Sequence, residues 1–413
     1  MTISHRSVAA VAAFVGMAAL PAAAGAQQPG DAMRLDTLVV TGSTVTVPLT
    51  ATSTGVTVIT GEALRARGVQ HVADALRAVP GLAVVQSGPL GSVTSLFLRG
   101  GESDYVQVLI DGVPVNEPGG RADLANLITT NIERIEVVRG PGSVLYGSDA
   151  VTGVVQIFTR EGRGTPRLDA EVRGGSHGSL GYEAGVQGAN GPVSYSLAAS
   201  HFGTDGTYDV NNEYAQTTLS GLVRLRADDR TDAKISIRFS DGEYHFPTDG
   251  AGRIADLNQF NREKRMAVGL EAGRFLTDRL EARLRLTASD LDFSIHDDPD
   301  DEDDVHGIYA YYSQTDQQRR EVDLHLNAHL SPTTVLTAGV QYEAQEERNH
   351  NEYESDGGPG SGSFAAERAN RGYYVQAITD VGGAVSLNFG ARLDDNDTFG
   401  TFETFRAGAA WRL

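Results

Sequence analysis

The sequence predicts a mainly β protein in which a small N-terminal α+β domain is followed by a long series of antiparallel strands of the transmembrane β-barrel kind. Three observations carry that prediction. Residues 56 to 160 alternate short β-rich apolar runs with Gly, Pro and Asn clusters around one helical stretch. After Arg163 the runs lengthen and take a strict period of two, separated alternately by short turns and long polar loops. The N-terminus reads as that of an exported protein, yet no later segment approaches the roughly 20 apolar residues of a spanning helix, so a membrane role must use strands.

The export signal is read from Arg6, the apolar run Val8 to Leu20, then Pro21 and Ala24-Gly25-Ala26, which give a signal peptide over residues 1–26 cleaved near Ala26. Cysteine is absent from all 413 residues, so an oxidising compartment is tolerated and disulfides contribute nothing to stability. With 54 acidic against 34 basic residues and a formal charge of −20, the protein lacks the basic face that a nucleic acid requires. No His-Glu-x-x-His, Gly-x-Ser-x-Gly or cysteine nucleophile is present, and the ten histidines have no metal-ligand spacing, so the sequence is not read as an enzyme.

Residues 27–50 form a polar arm with one strand-like segment, Leu35 to Gly42. Val56 to Ile59 is a strand. A cap at Thr60, Glu62 in the first turn and helical spacing through Val72, Leu76 and Val79 predict a helix that Pro80-Gly81 ends. Leu82 to Val85 is a short strand and Gln86 to Ser92 a loop. The glycines of Arg139-Gly140-Pro141-Gly142 and Tyr146-Gly147-Ser148 invite a phosphate-loop reading, but no Gly-Lys-Ser/Thr closes the run, and turn glycines account for them better.

The stretch from residue 96 to 160 carries a more specific signal. It holds the Leu98-Arg99-Gly100 turn, the strand ending Leu109-Ile110-Asp111-Gly112-Val113, the strand Ile132 to Arg139, and Arg139-Gly140-Pro141 through Tyr146-Gly147-Ser148-Asp149-Ala150 to Gly153-Val154-Val155. In this order these blocks resemble the plug domain of TonB-dependent outer-membrane transporters, closest to the cobalamin branch. The resemblance implies a plug over residues 51–163 and a TonB box at Asp36, Thr37, Leu38, Val39, Val40 and Thr41, which pairs with the periplasmic energy-coupling protein TonB by strand addition. The plain alternative is an arm that packs on its own domain. It implies too that Gln86, Ser87, Gly88, Pro89 and Leu90, with Asn116, Glu117 and Arg121, form apical loops that meet a small metal-chelate ligand; ordinary solvated turns are the alternative. The implied function is active uptake across the outer membrane of a scarce metal chelate, cobalamin first and a ferric siderophore or haem second. A binding-only or inactive receptor is the competing reading. The implied partners are TonB and outer-membrane lipid, with no covalent cofactor.

Residues 164–413 read as barrel strands beginning near Leu168, Leu180, Val193, Ala215, Ala233, Arg265, Leu280, Tyr309, Val335, Tyr373, Val385 and Phe402, about twelve by the alternation template. Plugged transporters have about 22 strands, and twelve would enclose only about 0.3 of that lumen, too little for the plug. The barrel is therefore expected to be incomplete, with the sequence truncated on its C-terminal side. Long loops are expected at Gly203 to Asn212, Pro247 to Phe260, Asp297 to His306 and Asn349 to Gly362. The acidic loop Asp297, Asp298, Asp300, Asp301, Asp303 and Asp304 offers oxygens for Ca²⁺, but EF-hand spacing is missing and a solvated loop is the favoured reading; Asp205, Asp209, Asp241 and Asp249 are weaker alternative ligands.

Overall fold

The computed structural model describes residues 38–39, 47–48, 52–248, 253–254, 256–304 and 307–411. Strand β1 (Leu38–Val39) pairs with β2 (Val47–Pro48) in a small antiparallel sheet. The signal peptide and the TonB-box residues Asp36, Thr37, Val40 and Thr41 lie outside the described residues.

The N-terminal domain begins with β3 (Gly55–Thr60), which leads directly into α1 (Gly61–Ala66), capped by the Thr60 hydroxyl accepting from the Ala63 amide. The single helix expected from the spacing is in fact two. Gly68 adopts φ +64° and turns the backbone, so α2 (Val72–Leu76) starts afresh. Strands β4 (Leu82–Gln86) and β5 (Thr94–Leu98) form a hairpin. Then follow β6 (Val106–Ile110), β7 (Val113–Pro114), β8 (Ile132–Arg139), the short α3 (Ser143–Tyr146) and β9 (Gly153–Thr159). Five strands make one sheet in the order β3-β8-β9-β6-β7, with β6 and β9 parallel and the other pairs antiparallel. Leu64, Val72, Leu76, Leu98, Val108, Ile135, Val137 and Ile157 close its core.

The second unit of architecture is a twelve-stranded antiparallel meander: β10 (Arg167–Gly174), β11 (Leu180–Asn190), β12 (Val193–Thr204), β13 (Tyr214–Asp228), β14 (Thr231–His245), β15 (Phe260–Phe275), β16 (Leu280–Asp297), β17 (Ile308–Ser331), β18 (Thr334–Ser355), β19 (Gly360–Val381), β20 (Val385–Asn396) and β21 (Gly400–Trp411). One rim carries tight turns at 191–192, 229–230, 276–279, 332–333 and 382–384; the other carries the long connections 205–213, 246–259 and 298–307. The loop expected at Asn349 to Gly362 is instead a continuation of β18 and β19, which pair as far as Tyr353↔Gly360. Their turn is only 356–359. Polar composition misled there, because a strand that rises out of lipid is polar on both faces.

Alternation alone does not distinguish a lipid-facing band from the interior of a soluble sandwich, and the fold removes the ambiguity. Leu284, Leu324, Val340, Tyr373 and Leu393 are register partners across five strands and are all exposed. The neighbouring row, Arg283, His325, Gly339, Tyr374 and Arg392, points to the concave face, where Arg392 is only 3% exposed. Apolar side chains outside and polar ones inside is the pattern of a strand wall in a bilayer. Above the apolar row the outward face of β16 turns polar at Asp290 and Asp292, and that of β17 at Gln314 and Asp316.

The N-terminal domain sits on that concave polar face. Among the described residues the wall is an open sheet, with β10 and β21 at its two ends. The conflict between plug size and a closed twelve-stranded lumen is thereby resolved, since an open sheet can curve around a body that a small closed barrel excludes.

Candidate functional site

The site is built from the loops of the small domain and the polar wall they face. The β4–β5 loop is held against the wall at Gly91, whose φ is +90° and whose missing side chain leaves room for two rings: an added Cβ would lie 2.5 Å from Tyr244 Cβ and 2.8 Å from Tyr214 Cδ2. Tyr214 is almost fully buried and donates to Asn126 Oδ1 at 3.2 Å. Within the loop, Gln86 Nε2 donates to Pro89 O (2.7 Å) and Ser87 Oγ to Val93 O (3.2 Å), while Gln86, Ser87 and Gly88 stay exposed. Pro89 and Leu90 are half-buried.

The second expected loop divides into two kinds of residue. Asn116 is buried, and both ends of its amide are engaged inside the domain: Oδ1 accepts from the Val108 amide (2.8 Å) and Gln107 Nε2 (3.0 Å), and Nδ2 donates to Val106 O and Gly120 O. No capacity is left for a ligand, so its role is to shape the turn, a correction to the sequence reading. Glu117 and Arg121 pair at 2.7 Å; Arg121 is about half exposed, and Glu117 is largely covered. Asp123 Oδ1 accepts from the Thr94 and Ala125 amides and so joins this loop to β5.

The wall anchors the domain through charged side chains aimed at its backbone. Arg238 donates to Thr130 O (3.1 Å) and Ile128 O (2.6 Å), and Arg265 to Val115 O (2.6 Å). Thr130 Oγ1 reaches Glu183 and Ser200, and Asn131 reaches Ser196 and Ser220. Arg319 bridges Asp149 (3.3 Å) of the small domain and Glu343 (2.7 Å) of the wall. None of these anchors stands out in the sequence. Arg238 is visible on the polar side of its strand, but its target is a backbone carbonyl more than 100 residues away, which no local pattern shows.

The acidic loop is not built as a cation cage. Among the described residues no group of three or more His, Asp or Glu side chains is arranged to hold a metal ion. The aspartates act as backbone caps instead: Asp300 accepts from the Leu257 amide (2.8 Å), Asp301 from Asp303 (2.8 Å) and Asp304 from Asp300 (3.1 Å). Asp297 stands close enough to Asp256, Asp300 and Asp304 for their charges to act on it, yet neither these nor Asp298, Asp303, Asp205, Asp209 and Asp241 form a metal-holding group among the described residues; Asp249 lies outside the described residues. The Asp300 carboxyl is pushed up from its ordinary range by burial and then by Asp256, Asp304 and Asp301.

Residues 48–154 match the family model described as TonB-dependent Receptor Plug Domain. Over these residues the protein is similar to the plug domain of TonB-dependent receptors. The fold agrees with that of solved outer-membrane receptors over almost the whole of this protein. Superposition on the ferripyoverdine receptor of the Pseudomonas aeruginosa outer membrane gives a TM-score of 0.75 at 16% identity, covering 91% of this sequence and 57% of that one. The ferric yersiniabactin uptake receptor of Yersinia pestis gives 0.66 at 17%, covering 87% and 61%. A structure described as the copper transporter OprC gives 0.67 at 18%, covering 86% and 60%. The protein therefore spans about 57–61% of the length of these solved structures.

Proposed function

We propose that this protein forms the plug and part of the wall of an outer-membrane receptor that takes up a metal chelate, driven by TonB. The observation that carries the reading is the plug seated against the polar inner face of a wall whose outer face is apolar, an arrangement suited to a gated lumen in lipid. Two of the matched receptors are named for ferric siderophores and one for copper. A metal-bearing ligand is the class common to them and to the cobalamin branch that the plug motifs resemble, and a metal chelate is the form it takes in the siderophore receptors. The ligand rests on Gln86 to Leu90, Glu117 and Arg121, and the acidic outer loops face the medium.

Coupling runs through the arm that holds Leu38 and Val39. Backbone pairing gives a grip that needs no particular side chains. The test is accumulation of cobalt-57 cyanocobalamin and of iron-55 ferripyoverdine and ferric enterobactin by cells carrying the receptor, with the inner membrane energised and de-energised. Leu38→Pro, which removes a pairing donor, should abolish accumulation and leave surface binding of the same probe unchanged. Loss of binding together with uptake would contradict the coupling role, and accumulation that ignores the energy state would remove the transporter reading.

A further inference from the structure

Between the plug and wall strands β13 to β19 lies a recess of about 540 Å³. On the wall side it is lined by Lys234, Glu271, Arg283 and Arg285, and on the plug side by Gly112 and Phe158 among others. The neighbouring Phe275 and His329 sit close to the tight-turn rim, so the recess occupies the half of the lumen away from the ligand loops.

We propose that residues 111–121 are a movable strap that closes this recess from above, and that their displacement opens the ligand's route through the receptor. The proposal rests on the uptake reading and adds the route. The strap runs from the recess to the ligand surface. Gly112 would place a Cβ 3.4 Å from Arg285 Cδ, and a Cβ on Gly269 would lie 3.0 Å from Val113 Cγ2. Val115 O then meets Arg265, one step higher on the wall, since Arg265 pairs with Leu291 whereas Gly269 pairs with Thr287. The far end is the Glu117–Arg121 pair, in which Arg121 is about half exposed and Glu117 largely covered. A ligand resting on that pair therefore touches the same segment that roofs the recess.

Three features suit the segment to move. β7 is the last strand of the five-stranded sheet and pairs with β6 at only two positions, Leu109↔Pro114 and Ile110↔Val113, so its departure leaves the order β3-β8-β9-β6 intact. Both ends carry left-handed backbone where the strap turns: Asp111 at φ 52° and Gly112 at 88°, then Gly119 at 95° and Gly120 at 97°. The wall's charges in the recess are neutralised within the wall, so moving the plug strands none of them: Arg283 meets Asp232 (3.0 Å), Glu271 (2.6 Å) and Glu281 (2.8 Å), Lys234 meets Glu271 (3.1 Å), and Arg285 meets Glu321 (3.2 Å). At rest, the amide of Asn116 and the hydrogen bond from the Thr159 amide to Asp111 Oδ1 (2.9 Å) hold the strap shut.

The absence of cysteine allows a clean test by cross-linking in the full receptor. Val113→Cys with Gly269→Cys places two Cβ atoms within disulfide reach across the strap and β15. Val144→Cys with Gly390→Cys does the same between α3 and β20, where an added Cβ on Gly390 lies 2.8 Å from Val144 Cγ1. Accumulation of the cobalt-57 and iron-55 probes is measured for each pair, oxidised and reduced. The expected result is loss of accumulation to background with the strap disulfide, recovery on reduction, and at least half of normal accumulation with the α3–β20 disulfide closed. Equal block by both locks would mean that the plug leaves as one body, and unimpaired accumulation with the strap locked would mean that the route lies elsewhere; either overturns the proposal. If the reduced proteins and the parent accumulate neither probe, the uptake reading itself fails and the strap with it.

Discussion

Asn116 shows how a residue chosen for its polarity can be structural. Its two amide ends complete the hydrogen bonding of the β6 backbone, and truncation would leave the Val108 amide and the Val106 carbonyl buried without partners. Asn116→Ala should destabilise the plug locally by about 2–4 kcal/mol, on the order of two unsatisfied buried groups, read as lost hydrogen-exchange protection at the Val108 amide. His71 is a second such case. It stands just before α2, bridges to Ile128, and its Nε2 is buried without a hydrogen-bond partner. Burial lowers its pKa below 6.5, more than neighbouring Asp74 raises it. The folded plug therefore favours the neutral ring, so the ring's contribution to stability is complete above 6.5 and is lost as pH falls through the lowered value. Pulse proteolysis in urea should show a lower midpoint at about pH 5 than at about pH 7.5, and His71→Gln should flatten that difference; an unchanged pH dependence in the variant would show that His71 is not its source.

At the scale of the element, the strands of the wall are longer than a bilayer demands. A spanning strand needs about 9–11 residues, whereas β17 has 24 and β18 and β19 have 22 each. The surplus carries polar residues on the outward face and lifts those strands beyond the apolar band. Leu324 lies in that band and Gln314, on the same face of the same strand, lies above it. Leu324→Arg should therefore cost about 2–4 kcal/mol in lipid vesicles, while Gln314→Arg should change stability by less than about 0.5 kcal/mol, as surface changes generally do. Urea titration of the vesicle-inserted receptor measures both, and a neutral Leu324→Arg would mean that this face does not meet lipid.

At the scale of the whole molecule, plug and wall are joined by polar contacts, because the wall has its apolar residues facing outward. Much of the joint is therefore charge-assisted, and Arg319 is central to it, buried with Asp149 on one side and Glu343 on the other. Arg319→Leu leaves two carboxylates facing each other without a cation and should weaken seating by about 3–5 kcal/mol, the usual cost of breaking a buried pair from one side. Protease cleavage of the plug in the otherwise folded receptor should rise accordingly. The same logic explains the recess: its wall charges pair within the wall, so the plug can be firmly held at Arg238 and Arg319 and yet have one strap, which Arg265 holds at Val115 O, that can yield.

The sequence by itself determined the strand wall and the likeness of the N-terminal domain to the plug family. Period-two runs such as Glu321 to Leu330 are local, and the order of motifs from Leu98 to Val155 is unbroken along the sequence, so neither needed a tertiary neighbour to be legible. It could not decide which face of the alternation met lipid, since both candidate environments obey the same period. That was settled by the plug covering the polar face and leaving the apolar one bare. Nor could it show that Gly68 splits the helix, that Asn116 turns inward, that Asp300, Asp301 and Asp304 accept from backbone amides of their own rim, or that Arg238 and Arg265 reach carbonyls of the plug. Each of these depends on where distant backbone donors and acceptors come to lie, and only the folded protein brings them within hydrogen-bonding distance.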